Sequence, residues 1–173
     1  RHMGGPQILA CVERWVRDDK ASILVETVER QHAPITEIQQ ALERHTSASV
    51  PDEELSHPVR TGVRVALARR LLTDDVEFVN KAKRFLAVAD YHRVLQRTIA
   101  PGASQGKLGG KSSGMLLADA VIRSAPEMAD AIGPIRIPRT WYITSDGILR
   151  FIEHNHLDDV HSHKYLEIEE VRR

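Results

Sequence analysis

Four apolar residues at every fourth position, Val59, Val63, Leu67 and Leu71, constrain this chain more than any other feature of it. That step returns to one face of a helix at each turn, so the stretch predicts a helix with a single buried stripe. Arg60, Arg64, Arg69 and Arg70 fall mostly off the stripe. Acids lie nearby and the overall charge is zero, so they read as a solvated helix face and not as an anion site. Helical spacing recurs upstream in Ile8, Val12, Trp15 and Val16, then in Ile23, Leu24 and Val28. Pro34 suits the first turn of a third helix carrying Ile35, Ile38 and Leu42. Residues 6–50 therefore predict a short bundle of three helices, with the polar run Thr46–Asp52 as a linker.

Residues 51–100 predict a second helical segment. After the Val59–Leu71 helix, Asp74 with Glu77 three positions on resembles a capping box. It would open a helix carrying Val76, Val79, Phe85 and Leu86. A further helix is predicted from Asp90 to Ile99, with Tyr91, Val94, Leu95 and Ile99 as apolar contacts. Only 5% of the chain is aromatic, so the core must rest on Leu, Ile, Val and Ala. Trp15 and Trp141 are expected in the core or at an interface.

Charge and cysteine content narrow the function classes. Lys and Arg number 24 against 24 Asp and Glu, which argues against holding nucleic acid by its phosphates. No apolar run approaches the roughly 20 residues a membrane span needs. The single Cys11 forbids an internal disulfide and a cysteine zinc site, and its apolar helical setting predicts an inert buried thiol. No signal peptide is visible, so the expectation is a cytoplasmic protein. Residues 1–5 read as an expression remnant. Ile168–Arg173 carry no helix stop signal, so the chain is expected to be a piece of something longer.

Past Pro101 the character changes. Gly102–Gly114 is glycine-rich and basic and runs into an apolar helix from Met115 to Ile122. Gly109, Gly110, Lys111 and Ser112 at a helix start supply close backbone approach, free N–H groups and a cation, which together suit phosphate. This is not a Walker A loop, because Gln105 stands where that pattern wants glycine and no hydrophobic strand precedes it. Taken alone, the stretch also fits a flexible glycine turn. Two short strands are predicted downstream, Ile135–Pro138 and Trp141–Thr144. Thr144 or Ser145 would cap a helix with Ile148, Leu149, Phe151 and Ile152 on one side.

The order of these pieces resembles the start of the nucleotide-binding domain of the phosphoenolpyruvate synthase and pyruvate phosphate dikinase family. The matching residues are Leu108–Gly114, Ile137–Trp141, Thr144–Ser145 and Phe151–Leu157. The match runs from Lys107 to about Leu157, and residues 59–99 look similar to a helical extension found in some large relatives. The resemblance implies an ATP-grasp fold that passes a phosphoryl group from ATP, with Mg2+, to a mobile histidine domain and on to pyruvate. Lys111 would contact the nucleotide phosphates, with Gly109, Gly110 and Ser112 beside it. Two departures stand out. Arg139-Thr140 replaces the usual Pro-Gly, and the downstream Arg-Ser-Ser segment, metal-binding carboxylates and phosphohistidine domain are not in this chain. The expected fold is thus mainly α with a small β element (α+β), a helical bundle followed by the opening of an ATP-grasp-like domain over residues 101–173. It would supply part of a nucleotide site and be inactive alone, with the rest of a multidomain chain as its partner. An open strand edge also predicts self-association.

Two other readings compete. His154, His156, His161 and His163 form two His-x-His pairs near Asp158 and Asp159, a weak candidate for zinc or nickel against a solvated polar helix end. The second is a non-enzymatic helical adaptor that binds a protein partner, in which Lys111 would be ordinary.

Overall fold

A computed structural model describes residues 4–47, 52–127, 133, 135, 137–157 and 169. It is mainly helical, with two short parallel strands among the described residues. The helices are α1 (Gly5–Glu29), α2 (Ile35–Ser47), α3 (His57–Leu71), α4 (Val76–Phe85), α5 (Val88–Leu95), α6 (Gly110–Arg123) and α7 (Ser145–His154). A 3-10 turn at Asp52–Glu54 precedes α3. Strand β1 (Thr98–Ile99) lies between α5 and α6, and β2 (Tyr142–Ile143) between α6 and α7.

The α3 stripe behaves as its spacing demands. Val63, Leu67 and Leu71 are each no more than 1% exposed, and Val59 packs against the cluster from its edge. Helix α3 is the central element, packed on α1, α4 and α5, while α2 bridges α1 and α5. The buried apolar side chains form one cluster from Ala21 to Ala120. Stretches 6–50 and 51–100 and the start of 101–173 therefore share a core. Tyr91 is its largest fully buried member, and its hydroxyl has no partner among the described residues.

Several sequence expectations need correction. Residues 6–47 form two helices, not three, because α1 runs unbroken through the polar residues Arg17–Lys20. Its two apolar segments then fall on different faces. Ala21, Leu24 and Val28 are buried, whereas Ile8, Leu9, Val12, Trp15 and Val16 stay exposed. Trp15 at 69% and Trp141 at 58% exposure are not in the core, which leaves the interface alternative for both, and Cys11 is only half-buried. The cap of α4 is Asp75, whose Oδ1 accepts from the Phe78 N–H at 2.7 Å, and not Asp74. Helix α5 ends at Leu95, so Ile99 belongs to a strand and not to a helix.

The arginines of α3 also depart from a uniformly solvated face. Arg64 donates Nε and Nη2 to Asp52 at 3.1 and 2.8 Å, in a largely buried pair. Arg70 reaches across the fold to two backbone carbonyls, Gln105 at 3.0 Å and Ala33 at 2.8 Å. Of the two predicted strands, Tyr142–Ile143 forms within Trp141–Thr144. Ile135, Ile137 and Pro138 are not in a strand.

Strands β1 and β2 pair in parallel, with Thr98 opposite Tyr142 and Ile99 opposite Ile143. Parallel neighbours need a crossover, and α6 supplies it. The result is a β1–α6–β2 unit with the glycine-rich segment between its first strand and its helix. A strand does precede that segment, contrary to the sequence reading, but Thr98–Ile99 is too short to show a period-two pattern.

Candidate functional site

The glycine-rich segment is pinned from several sides. Ser104 is fully buried, and its carbonyl accepts from the Ile35 N–H at 2.7 Å. Its hydroxyl lies 2.7 Å from Asp146 Oδ1 and 3.1 Å from Thr144 Oγ1. The Gln105 N–H donates to Asp146 Oδ2 at 2.9 Å. Burial pushes the Asp146 pKa up, but hydrogen bonds from Thr144, Ser104 and the Gln105 and Gly106 N–H groups outweigh it and hold the carboxyl at about 2. Burial lowers the pKa of Arg70, with the Asp146 charge acting against it. Gly106 has a steric reason to be glycine: a Cβ there would lie 2.8 Å from Ser145 Oγ and 2.9 Å from Asp146 Cγ.

Next along the chain, Lys107 pairs with Asp74, which also faces Arg69 Nε at 3.7 Å. The Leu108 N–H donates to the Leu71 carbonyl at 2.8 Å, and Ser145 N–H donates to the Lys107 carbonyl at 3.0 Å. Leu108 also forms an antiparallel bridge with Thr144. The Gly109–Ser112 turn therefore starts directly beside Thr144–Ser145, two pieces far apart in the sequence.

Gly109 is the N-cap of α6 in an extended conformation, with no side-chain cap. The helix's first bond runs from the Ser113 N–H to the Gly109 carbonyl at 3.0 Å. The N–H groups of Gly110, Lys111 and Ser112 thus open the helix without intrahelical partners. Lys111 is exposed and Ser112 half-buried. A Cβ at Gly109, Gly110 or Gly114 would meet nothing within 4 Å. Unlike Gly106, these glycines leave open space that the fold does not use. An oxyanion fits this donor set: a positive helix end, N–H groups unpaired among the described residues, and an exposed lysine in the first turn.

Metal chemistry finds less. No group of three or more His, Cys, Asp or Glu that could hold a metal ion occurs among the described residues. His154 and His156 are both exposed at the end of α7, and His156 adopts φ 54°. His161 and His163 lie outside the described residues. No helix among the described residues is long and apolar enough to cross a membrane.

The sequence reading singled out Lys111, Gly109, Gly110 and Ser112, and these four are contiguous at the start of α6. It missed Ser104, Asp146 and Arg70, which fix the loop leading into them. Asp146 carried the one usable signal, an acid in the first turn of a predicted helix. Comparison of the chain with protein-family models, curated proteins and solved structures gave no match.

Proposed function

We propose that the turn from Gly109 to Ser112 forms one wall of an ATP phosphate site, in a cytoplasmic phosphotransferase resembling phosphoenolpyruvate synthase. The observation that carries this reading is the Leu108–Thr144 bridge, which sets the uncapped start of α6 beside Thr144–Ser145. In the resemblance these are two pieces of one nucleotide-binding opening. The bare approach to Gly109 and Gly110 supports it further.

In this reading the Gly110, Lys111 and Ser112 N–H groups bind phosphate oxygens, and the Lys111 ammonium neutralises their charge. When bound, ATP supplies the transferable phosphoryl group. The chain's own part is electrostatic placement, worth most where donors are fixed before the ligand arrives. No group of three or more His, Cys, Asp or Glu that could hold a metal ion occurs among the described residues. The metal ligands, the phosphohistidine and the acceptor site would come from further protein, and this chain alone would not turn over.

Backbone amide NMR tests the proposal. ATP at about 10 mM, a concentration that detects even weak sites, should move the Gly109–Ser112 amides. Lys111→Ala should weaken that response about tenfold. ATP that leaves these amides unmoved, or moves them equally in Lys111→Ala, refutes it.

A second reading draws on a different observation. Ile8, Leu9, Val12, Trp15 and Val16 present an exposed apolar face on α1, and Ile148, Leu149 and Phe151 do so on α7. Contiguous apolar surface of this kind suits a protein partner, as in a non-enzymatic helical adaptor. A chain that ignores ATP and stays monomeric on its own, but is captured by a partner through α1, would favour this reading.

A further inference from the structure

A second cleft, of about 360 Å³, lies between α5, α6 and residues 137–140. Its charged lining is Asp90, Arg93, Arg97, Asp119 and Arg139. The carboxylates are already engaged. Asp90, only 6% exposed at its side chain, takes Arg93 and takes Arg123 Nη2 at 2.8 Å. Arg123 Nε also donates to Asp119 at 3.1 Å. Two acids and two guanidiniums thus neutralise one another. Arg97 and Arg139 remain, and neither has a carboxylate partner among the described residues.

The neutral part of the lining is Val94, Leu116, Ile137 and Pro138, which are apolar, with Thr140 beside them. Tyr142 stands at the wall, and its N–H donates to the Arg97 carbonyl at 2.9 Å, which fixes β2 against the end of α5. Lys111 is not among the lining residues, so this cleft is separate from the α6 start.

We propose that this cleft binds a phosphate monoester of a small apolar alcohol, the phosphate held between Arg97 and Arg139 and the organic group laid on the Leu116–Pro138 floor. Two unneutralised guanidiniums match the dianion of a phosphate monoester, and their planar forks pair with its oxygens. A monoanion would leave one of them unmatched. The volume falls in the range of small-molecule sites, and the mixture of an apolar floor with a few convergent charges is typical of them.

Calorimetric titration of the full chain with phenyl phosphate tests this, with inorganic phosphate and benzoate as comparators. Phenyl phosphate should bind at millimolar strength or better, at least about fivefold tighter than inorganic phosphate and than benzoate. Arg97→Ala and Arg139→Ala should each weaken it about tenfold, since a charge-assisted bond is lost. Both arginines are exposed, so both variants should fold, and Arg97→Lys should recover part of the loss. Lys111→Ala should leave phenyl phosphate binding intact, which separates this site from the proposed nucleotide wall. Absent binding at about 10 mM, equal affinity for benzoate, or indifference to both arginine variants overturns the proposal.

Discussion

Replacing Asp90 with alanine tests how α5 and α6 are held together. The Asp90 carboxylate does three things at once. Its Oδ2 accepts from the Ala87 N–H at 2.8 Å, capping α5. Its Oδ1 takes both Arg93, one turn along, and Arg123 from α6. The cap contributes about 1 kcal/mol. The side chains of Arg93 and Arg123 are 58% and 45% exposed, so solvent screens both pairs and each contributes at most about 1 kcal/mol. Arg123 keeps Asp119, so no buried charge is stranded. Asp90→Ala should therefore cost about 2 to 3 kcal/mol. Asp90→Asn keeps an acceptor for the Ala87 N–H and should cost about half of that. A cycle with Arg123→Ala should show about 0.5 to 1 kcal/mol of coupling. Urea titration followed by far-ultraviolet circular dichroism measures all of these. Tryptophan fluorescence is a poor probe here, because Trp15 and Trp141 are both largely exposed. A loss below about 0.5 kcal/mol for Asp90→Ala, with an unchanged urea slope, would refute the reasoning.

Two further outcomes follow from the loop and the core. Gly106→Ala forces a methyl group against Ser145 and Asp146 and should destabilise by about 1 to 3 kcal/mol. Gly110→Ala meets open space at the start of α6 and should stabilise by up to about 1 kcal/mol; urea midpoints of the two variants on opposite sides of the wild type would confirm the contrast. His45 is 8% exposed, and burial lowers its pKa from 6.5 despite the opposing charge of Asp52. The unfolded chain then takes up a proton at 6.5 while the folded His45 still resists. Stability should fall as the pH drops through 6.5 towards the lower folded pKa, and His45→Leu should flatten that part of the curve measured by urea titration.

What the sequence shows of this fold depends on how local the cause is. The α3 stripe, the start of α2 behind Pro34 and the helix after Thr144 were legible because spacing and turn residues act within a few positions. The continuity of α1 was not. Nothing local distinguishes one long helix from two short ones when the polar stretch between them is itself helix-forming. The start of α5 depended on Asp90 reaching back to Ala87, and β1 on a partner that lies beyond all of α6. The start of α6 at Gly109–Gly110 was legible from the glycine run before an apolar helix. Ser104 and Arg70 were not, because their contacts join residues distant in sequence, and Asp146 showed only as an acid in the first turn of a predicted helix.

The parallel pairing of Ile99 with Ile143 also bears on how the fold opens. Those two residues can meet only after the entire α6 crossover has been brought back, which costs loop-closure entropy before any strand bond repays it. Helices α1 to α5 hold most of the buried apolar side chains. The glycine-rich segment, β2 and α7 are therefore expected to open before the central helices. Amides from Gly102 to Leu108 should exchange with solvent well before those of α3, and a ligand that clasps the start of α6 would slow that opening selectively, leaving the exchange of the central helices unchanged.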